Sequence, residues 1–197
     1  MKYLKPFLAI AIVVFAASRI LVSGAISRPP GEIAPAIPRQ VLIENAAQIR
    51  HGEFLLQPKA RYDIEARVLS IERYRTDGGS DLAPIDFAVG WAQMSDTAIL
   101  EHFKVTQGGR FYTIYPDEEA LDIPIALRAS ANMHLIPANT HVRDMLFSSR
   151  PGNVVTLRGY LVSASRSDGF TWNTSLTRDD SGNGACELMY VESVLRR

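Results

Sequence analysis

The 197 residues contain one cysteine, Cys186, so no intramolecular disulfide can form and no all-cysteine zinc site can be assembled. The four histidines, His51, His102, His134 and His141, supply no pair at ligand spacing, and no metal is expected. Phosphate-cradling glycine loops, dinucleotide fingerprints, nucleophile elbows and metalloprotease motifs are missing, so no cofactor is expected either. Excess positive charge is missing too. Basic and acidic residues number 21 each, and residues 41–197 carry 16 against 20, a net of −4. Nucleic-acid binding draws most of its non-specific affinity from neutralising phosphates, so a mildly acidic domain is not expected to bind nucleic acid. Internal repeats and low-complexity tracts are absent.

One long apolar run is present. Lys2 and Lys5 precede residues 6–26, PFLAIAIVVFAASRILVSGAI, in which Arg19 is the only charge. About 21 residues of helix reach roughly 31 Å, enough to cross a bilayer's hydrocarbon core. The run fits either a secretory signal cut near Ser23-Gly24-Ala25 or an uncleaved transmembrane anchor over residues 1–27. Apolar sequence resumes after Arg19 with Ile20, Leu21 and Val22, which favours the anchor, Arg19 snorkelling toward the interface. A short basic head most simply stays in the cytoplasm and sends the C-terminal domain across the membrane, although Arg28 and Arg39 beyond the run weaken that signal. Residues 28–40 hold four of the eleven prolines and predict an extended spacer between the anchor and a single domain over 41–197.

Within the domain, residues 41–50 have apolar positions at helix-compatible spacing, while 60–74 alternate Tyr62, Ile64, Ala66 and Val68 with Arg61, Asp63, Glu65 and Arg67, a strand with one wet face. Further strands are predicted over 84–91, 110–115, 129–138, 154–162, 170–176 and 185–195, punctuated by the glycine-rich cluster at 76–81 and by Asp168-Gly169. Asp96 can cap a short helix through Phe103, and Asn139 or Thr140 one through Phe147. These elements add up to a mainly β (α+β) domain: a small antiparallel barrel of the oligonucleotide/oligosaccharide-binding (OB) type, with one or two short helices and the N-terminal transmembrane helix. The helix placed before the strand at 154–162 is the specific pointer to that type.

Three stretches mix charged, aromatic and small residues as plain core strands do not. In residues 178–187, RDDSGNGACE, a calcium loop fails at its twelfth position, where Tyr190 stands in place of a bidentate acid; Asn183-Gly184 suits a hairpin. Cys186 could act as a nucleophile with His134 as base and Asn132 as orienting group, or Asp180 and Glu187 could form an acid pair. A reactive cysteine wants a helix N-terminus or a basic pocket, however, and Cys186 precedes an apparent strand beside Glu187. Trp91 and Trp172 can floor a pocket or fill a core.

The blocks AVGWAQMSD (88–96), SANMHLIPA (130–138) and SLTRDDSGNGACE (175–187) resemble signature blocks of a family of uncharacterised bacterial proteins with a single N-terminal hydrophobic segment. The resemblance implies architecture and a bacterial origin, with no activity and no catalytic residue. The expected protein is therefore a single-pass inner-membrane protein with a periplasmic, non-enzymatic domain that binds a partner protein or envelope ligand. Trp91, Asp96, Asn132, His134, Arg178 and Asp180 are its candidate shared site. A hydrolase using Cys186 with His134 or an acidic pair, and a structural assembly factor without a pocket, stay open as alternatives.

Overall fold

The computed structural model describes residues 24–177 and 186–197. Most of the transmembrane anchor expected over 1–27, and the candidate residues Arg178 and Asp180, lie outside the described residues. No helix among the described residues is long and apolar enough to cross a membrane.

The chain is mainly β, and period-two patterning explains why. In β3 (Phe54–Arg73), Tyr62, Ile64, Ala66 and Val68 point into the main core while Arg61, Asp63 and Glu65 alternate outward. Arg67, expected on the wet face, is buried instead, and its guanidinium donates to Ser95 O at 3.1 Å and Thr97 Oγ1 at 2.7 Å. β3 pairs with β4 (Ile85–Gly90), β4 with β7 (Ser130–Pro137), β7 with β10 (Glu187–Arg196), and β10 with β8 (Val154–Ser165). β8 then pairs with β3, so the path of hydrogen bonds returns to its first strand. β3 serves both ends of the path because it is 20 residues long: residues 55–67 face β8 and residues 67–73 face β4. Register shifts at Pro58/Ala60 and Val68/Ser70 mark bulges that bend it, and Pro58, lacking an N–H, sits at one of them.

Four of these five pairings are antiparallel. The β7–β10 pairing is parallel, contrary to the expectation of antiparallel strands throughout. Parallel neighbours need a crossover connection, and residues 138–186, carrying α3 (Thr140–Phe147) and β8, provide it. Asn139 caps α3 as expected, its Oδ1 accepting from Val142 N–H at 3.0 Å. Val142 and Leu146 of α3 join the interior cluster with Phe87, Trp91, Met133 and Leu157. Full burial of such a side chain stabilises by roughly 1.5–3 kcal/mol.

The other elements decorate the ring. β1 (Arg39–Leu42) and β2 (Ile49–His51) pair antiparallel with β3, where a helix over 41–50 was expected; Gly52, at φ 58°, turns β2 into β3. A helix that short is costly to nucleate, whereas β3 offers a ready ladder. A 3-10 turn (Ala92–Ser95) leads into the single turn α1 (Thr97–Leu100), capped by Asp96. The helix ends there, and Phe103 opens β5 (Phe103–Gly108), which forms a separate hairpin with β6 (Phe111–Pro116). α2 (Ile123–Arg128) precedes β7, and the strand expected over 170–176 is reduced to β9 (Thr171–Trp172) on the edge of β8.

The proline-rich segment does not stand off as a spacer. Ile26 N–H donates to Pro151 O at 2.8 Å, Ile33 and Ala34 N–H donate to Ser95 Oγ at 3.2 and 3.1 Å, and Ala34 O accepts from Ala92 N–H at 2.8 Å. Ala34 is fully buried. An extended proline-rich chain makes few hydrogen bonds to itself, so its remaining amides are available to the domain.

Candidate functional site

β4 and β7 lie side by side, Asp86 opposite His134 and Ala88 opposite Asn132. Phe87 and Met133 fill the interior, so alternation turns Asp86, Asn132 and His134 to the outer face of the ring. These three are nevertheless buried, with 0%, 2% and 3% of their surface exposed. Loop residues 74–84, the tip of the β5–β6 hairpin and β9 cover them.

A buried carboxylate requires partners, and Asp86 has two. Its Oδ1 lies 3.0 Å from Arg110 Nη1, and its Oδ2 lies 2.9 Å from His134 Nδ1. The second contact is a close approach without hydrogen-bond geometry: neither Asp86 Oδ2 nor His134 Nδ1 has a hydrogen-bond partner among the described residues. Arg110 also forks onto Asp77, Nε to Oδ2 at 2.7 Å and Nη2 to Oδ1 at 2.8 Å, while Nη1 reaches Ala83 O at 2.7 Å. Its guanidinium sits 3.6 Å from the centre of the Tyr74 ring and 5.3 Å from that of Trp172. The Arg110 hydrogen bonds hold the Asp77 carboxyl below the ordinary range. Burial, reinforced by the Asp86 charge, pushes the Tyr74 phenol up to about 12, so its hydroxyl keeps its proton while accepting from Arg110 N–H at 3.0 Å.

Local backbone explains how Arg110 gets there. Gly108 pairs with Phe111, leaving Gly109 and Arg110 as a two-residue loop at φ 58° and 72°. Positive φ at both positions is the hairpin turn that matches strand twist. Glycine takes that conformation freely; for arginine it is strained, and the side-chain and main-chain contacts of Arg110 hold it in place. The Arg110 carbonyl accepts from Asn132 Nδ2 at 3.0 Å and from the Cys186 thiol at 3.8 Å.

Above this network lies an open pocket of about 500 Å³, lined by Arg110, Phe111, His134, Trp172, Asn173 and Cys186 together with Thr171. The Trp172 and His134 rings lie 4.7 Å apart, centre to centre. Gly79 leaves room for the indole: a Cβ there would come within 2.5 Å of it. His134 lines the pocket while its Nδ1 approaches the Asp86 carboxylate.

Of the six residues expected to share a site, the structure brings together Asn132 and His134. Trp91 belongs to the interior core, and Asp96 accepts from Ala98 N–H and Gly31 N–H. Cys186 does line the pocket with His134, as the nucleophile reading required. Asn132 does not orient the imidazole; it accepts from Gln107 Nε2 at 2.7 Å and donates to Arg110 O. Asp86 is the carboxylate nearest the imidazole, without a hydrogen bond to it. Sequence reasoning missed Asp86 and Arg110, although a carboxylate inside the apolar strand PIDFAVGW signals an outward position that must find a cation. Among the described residues no group of metal-binding side chains is present. Comparison with protein families, curated proteins and solved structures finds no match to this chain.

Proposed function

We propose that the closed ring is a barrel of the OB type and that the protein is a membrane-tethered envelope module binding a partner protein or envelope ligand in the outer-face pocket, without catalysis. The strand order supports the barrel type: counting ring strands in chain order, the path runs first, second, third, fifth, fourth and back to first, with a helix between third and fourth. Ligands of that type bind on the face of the second and third strands, flanked by the first and last long loops. The carrying observation is that the pocket over Asp86 and His134 occupies that face, walled by Trp172 and Phe111. Arg110 is engaged by Asp77 and Asp86, which leaves it ill suited to phosphate and argues against nucleic acid.

A photo-crosslinking residue at Asn173, at the pocket mouth, tests this in native membranes against the same residue at Arg158, exposed on β8. The expected result is a discrete adduct from position 173 that is lost with Trp172→Ala, and none from 158. Equal labelling at both positions would refute the pocket. The hydrolase reading retains one supporting observation, a histidine close to a buried aspartate and sharing a pocket with a thiol. Rapid alkylation of Cys186 at neutral pH, abolished in His134→Ala, would establish it; ordinary thiol kinetics in both proteins supports binding.

A further inference from the structure

We infer that the domain sits directly against the bilayer, through a basic face made by Arg28, Arg150, Arg196 and Arg197, and that this face takes anionic lipid headgroups. The inference rests on the membrane tether of the proposed function. A 13-residue extended spacer over 28–40 would have let the domain stand as much as roughly 45 Å from the anchor. The structure removes that slack. Ile26, at the end of the apolar run, is hydrogen-bonded to Pro151, and a Cβ on Gly24 would touch the Arg150 side chain at 3.9 Å. Any anchor ending in residues 24–27 therefore delivers this part of the domain to the interface.

The side chains there match that location. Arg28 donates to Gly152 O at 3.0 Å and Arg197 O at 2.8 Å, Arg196 to Ser148 Oγ at 2.9 Å, and Arg197 to Ile33 O at 2.9 Å. These contacts tie the arginines to residues 148–152 and to the N-terminal segment. Arg150, Arg196 and Arg197 are exposed. Among the described residues the only acidic side chain paired with any of the four is Glu65, 2.8 Å from Arg197. The domain as a whole is acidic, so four arginines facing one paired carboxylate at this end are a local departure. Guanidinium groups suit bidentate recognition of phosphate oxygens, the group that anionic lipid headgroups present. None of the pocket-lining residues belongs to this face.

The full chain, with Cys186→Ala and a single new cysteine at Ser148 or Ser167, is reconstituted in vesicles of phosphatidylcholine with or without 30% phosphatidylglycerol. Each cysteine carries a fluorophore, and the lipids carry a headgroup-level nitroxide quencher. Ser148 lies on the basic face, whereas Ser167 follows the far end of β8, about 36 Å along the strand. Strong quenching at 148, increased by phosphatidylglycerol and reduced by Arg150→Glu with Arg196→Glu, is expected, with none at 167. Chain that floats with the vesicles but shows no quenching at 148 would overturn the apposition and leave the tether standing. Chain that fails to float would overturn the tether and the inference with it. Should Cys186→Ala unfold, phenylglyoxal labelling of arginines on the unmodified chain gives the same reading: labelling of Arg150 and Arg196 slowed by vesicles relative to detergent supports the apposition, and unchanged labelling refutes it.

Discussion

Arg110→Ala is the most informative single perturbation. The substitution removes the arginine paired with Asp86, and Asp86 is fully buried. Stripping one partner from a buried charged pair costs about 3–5 kcal/mol, because the remaining charge keeps its desolvation penalty. The contact with Asp77 adds little to this figure, since that carboxylate is 38% exposed and water screens it. Alanine also inherits the positive φ of 72°, so no strain is relieved. Arg110→Gly loses the same side chain but relaxes the left-handed backbone, and recovers roughly 1 kcal/mol of that loss. The assay is urea unfolding of the full chain in detergent, followed by tryptophan fluorescence, with the slopes compared to confirm one transition. A loss near 3–5 kcal/mol for Arg110→Ala and a smaller one for Arg110→Gly are expected. If Arg110→Ala stays within about 1 kcal/mol of the unmodified chain, or Arg110→Gly is the less stable of the two, the network does not hold the hairpin as argued.

Acid should expose the Asp77 contact. Its carboxyl is held low chiefly by the Arg110 hydrogen bonds, so the unfolded chain binds that proton more readily than the folded one. Its stabilising effect is complete above the unfolded value of about 3.9 and lost as pH falls through the folded value; an unfolding series across that window should be flatter in Asp77→Asn. Gly159→Ala should destabilise by about 1–3 kcal/mol or more in a thermal melt, because the new Cβ would lie 1.9 Å from Tyr190 O, a main-chain atom beside the β10 register shift. Asn139→Ala should cost about 1 kcal/mol through loss of the α3 cap, with Asn139→Asp close to neutral.

Local pattern was legible in the sequence wherever it is also what the fold uses. The alternation of β3, the caps at Asp96 and Asn139, and a helix ahead of β8 all come from residue type and spacing. The pocket was half legible: Asn132 and His134 stand two apart in one strand, so period two alone puts them on one face. Arg110 was not, because its partners Asp77, Ala83 and Asp86 lie 24 to 33 residues away and no local rule joins them. Trp91 and Asp96 misled for the opposite reason. Their local roles, filling a core and capping a helix, were sufficient, and the mixed chemistry of their block was not a shared site. The proline-rich segment shows a third limit: composition predicts its extended shape but not the amide partners, such as Ser95 Oγ, that hold it down.

Asp86 and His134 are neighbours beneath the pocket, Nδ1 lying 2.9 Å from the carboxylate. Nitrogen-15 NMR of histidine-labelled protein measures that directly, with four histidines to assign and His134→Gln to identify the resonance. A His134 resonance distinct from those of the other histidines, with its ring nitrogens shifting in Asp86→Asn, is the predicted result. A His134 signal indifferent to Asp86→Asn would contradict it.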